Sequence, residues 1–159
     1  TTQPTILGLP EEFESNFTYN LTLSVEAYSG QHSESAQGGF RLLISNGSVE
    51  IQNQSRVQFL DGGWTHTESG NQYRSWNLSW TAPSDNTTTV DFVLHGNAVN
   101  GNGNSEGDMW NSFGTVVPGV QHEGPVEQLS LTSELDDTQY GILYGGLIAL
   151  LLFLYFAIK

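Results

Sequence analysis

Polar and apolar residues alternate along most of this chain, and a single unbroken apolar run closes it. From Phe17 the alternation is regular. Phe17, Tyr19, Leu21, Leu23, Val25 and Ala27 share one parity; Thr18, Asn20, Thr22, Ser24 and Glu26 share the other. A period of two marks a strand with one face buried. The period returns at Phe40, Leu42 and Ile44, at Val49 and Ile51, at Val57 and Phe59, and over residues 109–117. The strongest stretch spans residues 76–108. Trp76, Leu78 and Trp80 form one inward set and Val90, Phe92 and Leu94 the next, with Ala82-Pro83 and Ser84-Asp85-Asn86 between them. Proline has no N–H for a ladder, so the pattern predicts two core strands joined as a hairpin. Asn46-Gly47 predicts a second, two-residue hairpin, since both residues accept positive φ. Residues 1–16 read as an arm. Short strands with turns at this spacing predict an all-β antiparallel sandwich of immunoglobulin form over residues 17–117.

The closing run, residues 141–158, reads GILYGGLIALLLFLYFAI and holds no charge. As a helix it would extend about 27 Å, enough for a bilayer core. Tyr140 and Tyr144 flank one end, Tyr155 and Phe156 the other, and Lys159 follows. Aromatic belts and the positive-inside rule predict a single transmembrane helix over residues 138–159, the sandwich outside the cell and the C-terminus in the cytoplasm. Residues 118–137 form an acidic connector, and Asp136, Asp137 and Thr138 suit a helix N-terminus. Gly141, Gly145 and Ala149 place small residues on one helix face, which lets another helix approach closely. The stripe predicts association in the membrane, with a second copy or another membrane protein.

Composition removes several classes of function. Seventeen acids against four bases (Arg41, Arg56, Arg74 and Lys159) give a net charge of −13, with no basic patch for nucleic acid. Cysteine is absent, and with it disulfides, thiol catalysis and thiolate metal sites. No nucleophile elbow, zinc-protease, phosphate-loop or dinucleotide motif is present, so no enzyme activity is expected.

Three sets of side chains remain as candidates. Asn16, Asn20, Asn46, Asn53, Asn77 and Asn86 fit the N-x-[ST] glycan acceptor pattern, three with outward strand parity and three in or beside turns. Asn100, Asn102, Asn104, Glu106 and Asp108 repeat an oxygen-bearing side chain at every second position. Calcium takes six to eight such oxygens, although two carboxylates among five donors make a weak site. The competing reading is a structural loop whose side chains bond nearby backbone. Of the histidines His32, His66, His95 and His122, none pair at helical spacing. His66 and His95 would hold a metal such as copper if their strands were neighbours, and otherwise would be hydrogen-bonding residues beside the sheet.

Gly39-Phe40-Arg41-Leu42, His66-Thr67, the WTAP run over residues 80–83, Val90-Asp91-Phe92 and the NAVNGNG…GD run over residues 97–108 resemble the choice-of-anchor V domain, a relative of the Reeler domain. The turn after WTAP departs from the family, having Ser84-Asp85-Asn86-Thr87-Thr88 in place of glycines. The resemblance implies an extracellular sandwich with a C-terminal anchor, and the glycan sites with a single helix suit an archaeal surface. The expected function is that of a non-enzymatic, membrane-anchored domain acting by assembly, as an accessory subunit of a membrane complex or surface layer. The alternative is a calcium- or glycan-binding surface module.

Overall fold

The computed structural model describes residues 2–27, 36–131 and 137–158; within the last segment the side chains at 137–140, 143, 151, 152, 157 and 158 lie outside the description. The alternating segments become β2 (Thr18–Ala27), β3 (Gly38–Ile44), β4 (Ser48–Ile51), β5 (Val57–Leu60), β7 (Ser75–Thr81), β8 (Thr89–Ala98) and β9 (Met109–Pro118). The pattern did not point to β1 (Thr2–Leu7) or β6 (Gly63–His66). A 3-10 turn, Ser69–Gln72, precedes β7, and α1 (Asp137–Ile158) closes the chain.

The strands pair antiparallel in two sheets, ordered β1-β2-β7-β4 and β5-β6-β3-β8-β9. Leu21, Leu23, Val25, Trp76, Leu78 and Trp80 from one sheet meet Phe40, Leu42, Val90, Phe92 and Leu94 from the other. Trp80 sits at the centre. It stacks on Tyr19 at 5.6 Å and meets Phe13 and Phe92 edge-on at 5.8 and 4.9 Å. Its indole N–H donates to the Asn46 carbonyl at 3.0 Å, so the polar end of a buried aromatic is satisfied.

Seven of these strands follow the order of an immunoglobulin constant domain, with β1-β2-β7-β4 standing where A-B-E-D would and β3-β8-β9 where C-F-G would. The β5–β6 pair is additional. It enters between the D and E equivalents and joins the edge of β3 through Arg41↔Thr65 and Leu42↔Trp64.

Several expectations need correction. Residues 2–7 are an edge strand of the first sheet, paired with β2 from Thr2↔Ala27 to Leu7↔Thr22, and not an arm. Its inward residues are Thr2, Pro4 and Ile6, a set too polar to show as an alternation. Pro4 is tolerated because an edge strand has one side without a ladder. Phe13 is fully buried and closes the core against the chain leaving β9: Phe13 N–H donates to Pro118 O at 2.9 Å and Val120 N–H to Phe13 O at 3.0 Å. Phe17 and Phe59 are more than half exposed, because each lies where a strand begins or a sheet ends.

The two expected hairpins are arches between sheets. β7 and β8 belong to different sheets, as do β3 and β4, so Asn46-Gly47 and residues 82–88 each carry the chain across the core. The tight two-residue hairpin is at Asp61-Gly62, between Leu60 and Gly63, with φ of 48° and 76°. Two positive φ values are what a primed turn requires.

The C-terminal apolar run is helical, as expected, over 22 residues. Among the described residues, however, no helix is long and apolar enough to cross a membrane, since the described side chains fall into the short runs 141–142, 144–150 and 153–156. Those runs are exposed on every side, including Ile142, Tyr144, Leu147, Ile148, Phe153 and Phe156.

Candidate functional site

The outer face of the second sheet carries cross-strand rows set by register. Arg41 lies opposite Thr65 on β6 and His95 on β8, and His95 lies opposite Ser112 on β9. In the next row Gly39 faces Asn97, which faces Trp110. Gly39 has no side chain, so the row is hollow at that point. The result is a cleft of about 330 Å³ floored by glycine backbone and walled by Arg41, His66, Asn71, His95, Asn97 and Trp110.

His66 reaches the cleft where the β3–β6 pairing has ended, while it stays paired with Val57 on β5. The Phe40 N–H donates to His66 Nδ1 at 3.2 Å, and the Thr65 hydroxyl donates to the Phe40 carbonyl at 2.7 Å. Side chains of β6 thus satisfy both backbone groups of Phe40, while Gln58 Nε2 donates to the His66 carbonyl at 3.0 Å. With Nδ1 accepting, the neutral ring carries its proton on Nε2 and presents an N–H donor. A Cβ on Gly39 would overlap the imidazole, so glycine there is a condition of the ring's position.

His95 is exposed, and its Nδ1 shares a 2.6 Å hydrogen bond with the Ser112 hydroxyl. The guanidinium of Arg41 donates to the Leu60 carbonyl at 3.3 Å and the Asp61 carbonyl at 2.5 Å, which ties it to the Asp61-Gly62 turn. The guanidinium carbon also lies close to Gly63, so the charged end of Arg41 points along β6 towards that turn and the stem of the side chain borders the cleft. Trp110 is 77% exposed. Among the described residues no Asp or Glu lines the cleft.

Sequence reasoning paired His66 with His95, and both do line this cleft, on strands either side of β3. It missed Arg41, Asn71, Asn97 and Trp110. A signal for Trp110 was available, because it shares parity with the outward Ser112 and a large aromatic on an outer face is unusual. Among the described residues no cluster of three acidic or histidine side chains is placed to hold a metal ion. His32 lies outside the described residues, and His122 Nδ1 is 2.9 Å from the Thr87 carbonyl.

The expected calcium loop joins β8 to β9. Here the Asn side-chain oxygens turn inward on the loop's own backbone. Asn100 Oδ1 accepts the Asn102 N–H, Asn102 Oδ1 the Asn104 N–H and Asn104 Oδ1 the Glu106 N–H, at 3.0, 3.0 and 2.8 Å. Asp108 Oδ1 accepts the Asn100 N–H at 3.2 Å, closing the loop. Gly101, Gly103 and Gly107 have positive φ, which these successive turns demand.

Of the glycan acceptors, Asn16, Asn20, Asn46, Asn53 and Asn77 are exposed and Asn86 is half-buried. Asn20 and Asn77 stand on the outer face of the first sheet, where they accept bonds from Ser79 and Thr22. In the helix, a Cβ on Gly141 or Gly145 would meet nothing within 4 Å, and Ala149 is exposed.

No family model matches the chain, and no curated protein matches its sequence. Among solved structures it is similar to the human F-spondin reeler domain. One crystal structure of that domain gives 16% identity and a TM-score of 0.49, covering 74% of this chain and 91% of that one. A second gives 20% identity and 0.44, covering 62% and 74%. A conjugate transposon protein from Bacteroides vulgatus gives 12% identity and 0.43, covering 78% and 91%. The two-sheet architecture rests on the strand pairing described above.

Proposed function

We propose that this chain is a non-enzymatic, membrane-anchored surface module that acts by binding, with the sandwich outside the cell and α1 in the bilayer. The observation that carries this reading is the helix: its described apolar side chains, Ile142, Leu147, Ile148, Phe153 and Phe156 among them, are exposed. A helix that is hydrophobic all round belongs in a protein core or a membrane, and the sandwich core is already filled. The uncharged run of residues 141–158 supports the same reading. The outer-face cleft, next to the inserted β5–β6 pair, is the binding surface the geometry offers.

Flotation tests the anchor. Full-length protein refolded with liposomes should rise with them in a density gradient and resist extraction at high pH, and protease should then shed the sandwich. Recovery at the bottom of the gradient would refute the anchored reading. A second reading, assembly through the helix as an accessory subunit, is favoured by the open face at Gly141, Gly145 and Ala149. Gly145→Ile should leave insertion intact and remove the protein from its assembly on a native gel.

A further inference from the structure

We propose that the outer face of the second sheet rests on the lipid bilayer, with Trp110 seated at the headgroup level; this rests on the reading of α1 as a membrane anchor. The two outer faces differ in composition. On the first sheet β2 and β7 turn Asn20, Thr22, Ser24, Asn77 and Ser79 outward, the polar face expected of an antiparallel sheet in water. On the second sheet an apolar row crosses the outer face. Leu43 pairs with Val93 and Val93 with Gly114, and the Leu131 side chain covers that glycine. Leu60 extends the row on β5, beyond Gly63 and the Arg41 guanidinium that lies close to it. Leu60 and Leu131 are exposed, and Leu43 and Val93 are half-buried between them. Asp91 faces the same way one row further on, opposite Val116. Trp110, 77% exposed, stands on this face too. A run of apolar side chains on an outer face marks a surface that meets something other than water.

The tether gives the direction. Leu131 lies over Gly114, and α1 begins at Asp137, six residues on. At about 3.3–3.6 Å per residue the intervening chain reaches at most about 20 Å by any path. The row is therefore held near the point where α1 enters the membrane. Turning the first sheet to the lipid instead would place both sheets, about 10 Å apart, and the side chains on either side between Leu131 and the surface. That orientation uses the whole tether, and it presses Asn20 and Asn77 into the headgroups. Trp110 adds a specific anchor, because an indole has an apolar body and one N–H and is enriched at the membrane–water boundary. The Asn71 and Asn97 amides and the His66 Nε2–H, all in the adjoining cleft, offer donors to the ester and phosphate oxygens of that layer.

A second protein seated on the row is the competing occupant. Lipid is favoured because the row runs to the tether itself: its end member is Leu131, and the chain beyond Leu131 continues to α1. The chain's own glycans leave this face clear, since none of the six acceptors lies in β3, β5, β6, β8 or β9. A net charge of −13 makes an anionic surface repulsive, so vesicles of phosphatidylcholine are the matching probe.

The sequence has no cysteine, so one introduced thiol can carry a fluorophore at a chosen place. Full-length Ser112→Cys, on the outer face of the second sheet, and Ser79→Cys, on that of the first, are labelled and reconstituted in phosphatidylcholine vesicles that contain a headgroup-level nitroxide lipid. The label at 112 should lose most of its emission to the nitroxide and resist aqueous iodide, whereas the label at 79 should stay bright and yield to iodide. Adding Trp110→Asp to the Ser112→Cys chain should restore its emission, and because Trp110 is exposed the melting temperature should not change. Equal quenching of the two labels, or quenching at 79 alone, would overturn the proposal. So would quenching at 112 that survives Trp110→Asp, since tether length alone would then account for it. A label at 112 shielded from iodide but untouched by the nitroxide would overturn lipid in favour of a second protein. A bright, iodide-sensitive label at 112 in a chain that floats with the vesicles would overturn the docked face and leave the anchor, while failure to float would overturn both.

Discussion

At the scale of single residues, Trp80 has the greatest reach in the core. It touches aromatic rings from three segments and ties the β3–β4 arch to the core through Asn46. Trp80→Ala should cost about 3–5 kcal/mol in a denaturant titration, the range for deleting a large buried aromatic. A loss under about 1 kcal/mol would mean that the cavity collapses or the packing is wrong. Asp85 makes a smaller, pH-dependent contribution. The Thr87 hydroxyl and N–H both donate to its carboxylate, at 2.6 and 3.0 Å, and hold its pKa below the ordinary value of 3.8. A depressed carboxylate stabilises the fold above its unfolded pKa, and the gain is lost as pH falls through the folded value. Thr87→Val should therefore lower the urea midpoint at neutral pH, and the difference from the native chain should vanish in strong acid.

Among the elements, the loop joining β8 to β9 and the strand order were unequally readable. Alternation located seven of the nine described strands, because period two follows directly from a half-buried strand. It said nothing about pairing. An Asn-Gly turn serves a hairpin or an arch equally well, and only the register with distant strands decides between them. In the same way the sequence shows oxygens at residues 100–108 but not what they face. In the structure Asn100, Asn102 and Asn104 each bond the backbone two residues on, so their lone pairs already have work. Chelator should leave the melting temperature unchanged, while Asn102→Ala should lower it with calcium present or absent. A chelator-induced drop of several degrees that is abolished by Asp108→Ala would instead establish a bound cation. The cleft was half-legible for a related reason. Two histidines are conspicuous in a sequence; the empty place above Gly39 is not, since it exists only where β3 and β8 pair.

Over the whole molecule, the two outer faces differ in kind. Asn20 and Asn77 decorate the first sheet, and the cleft hollows the second. Glycans on the native protein should therefore occupy both asparagines while leaving ligand affinity unchanged. Intact mass before and after glycan removal checks the occupancy, and a mass equal to the bare polypeptide would refute it. The route from helix to sandwich has a mechanical consequence. A pull on α1 travels back through residues 119–131, where a Cβ on Gly114 would touch the Leu131 side chain, and then meets the clasp that Phe13 makes with Pro118 and Val120. Leu131 thus meets β9 at Gly114, two residues from Ser112 on the outer face that holds the cleft, while the clasp lies at the other end of the strand. Tension on the tether therefore bears on the cleft's sheet at Gly114 before it reaches the clasp, so anchoring and the outer face share one strand.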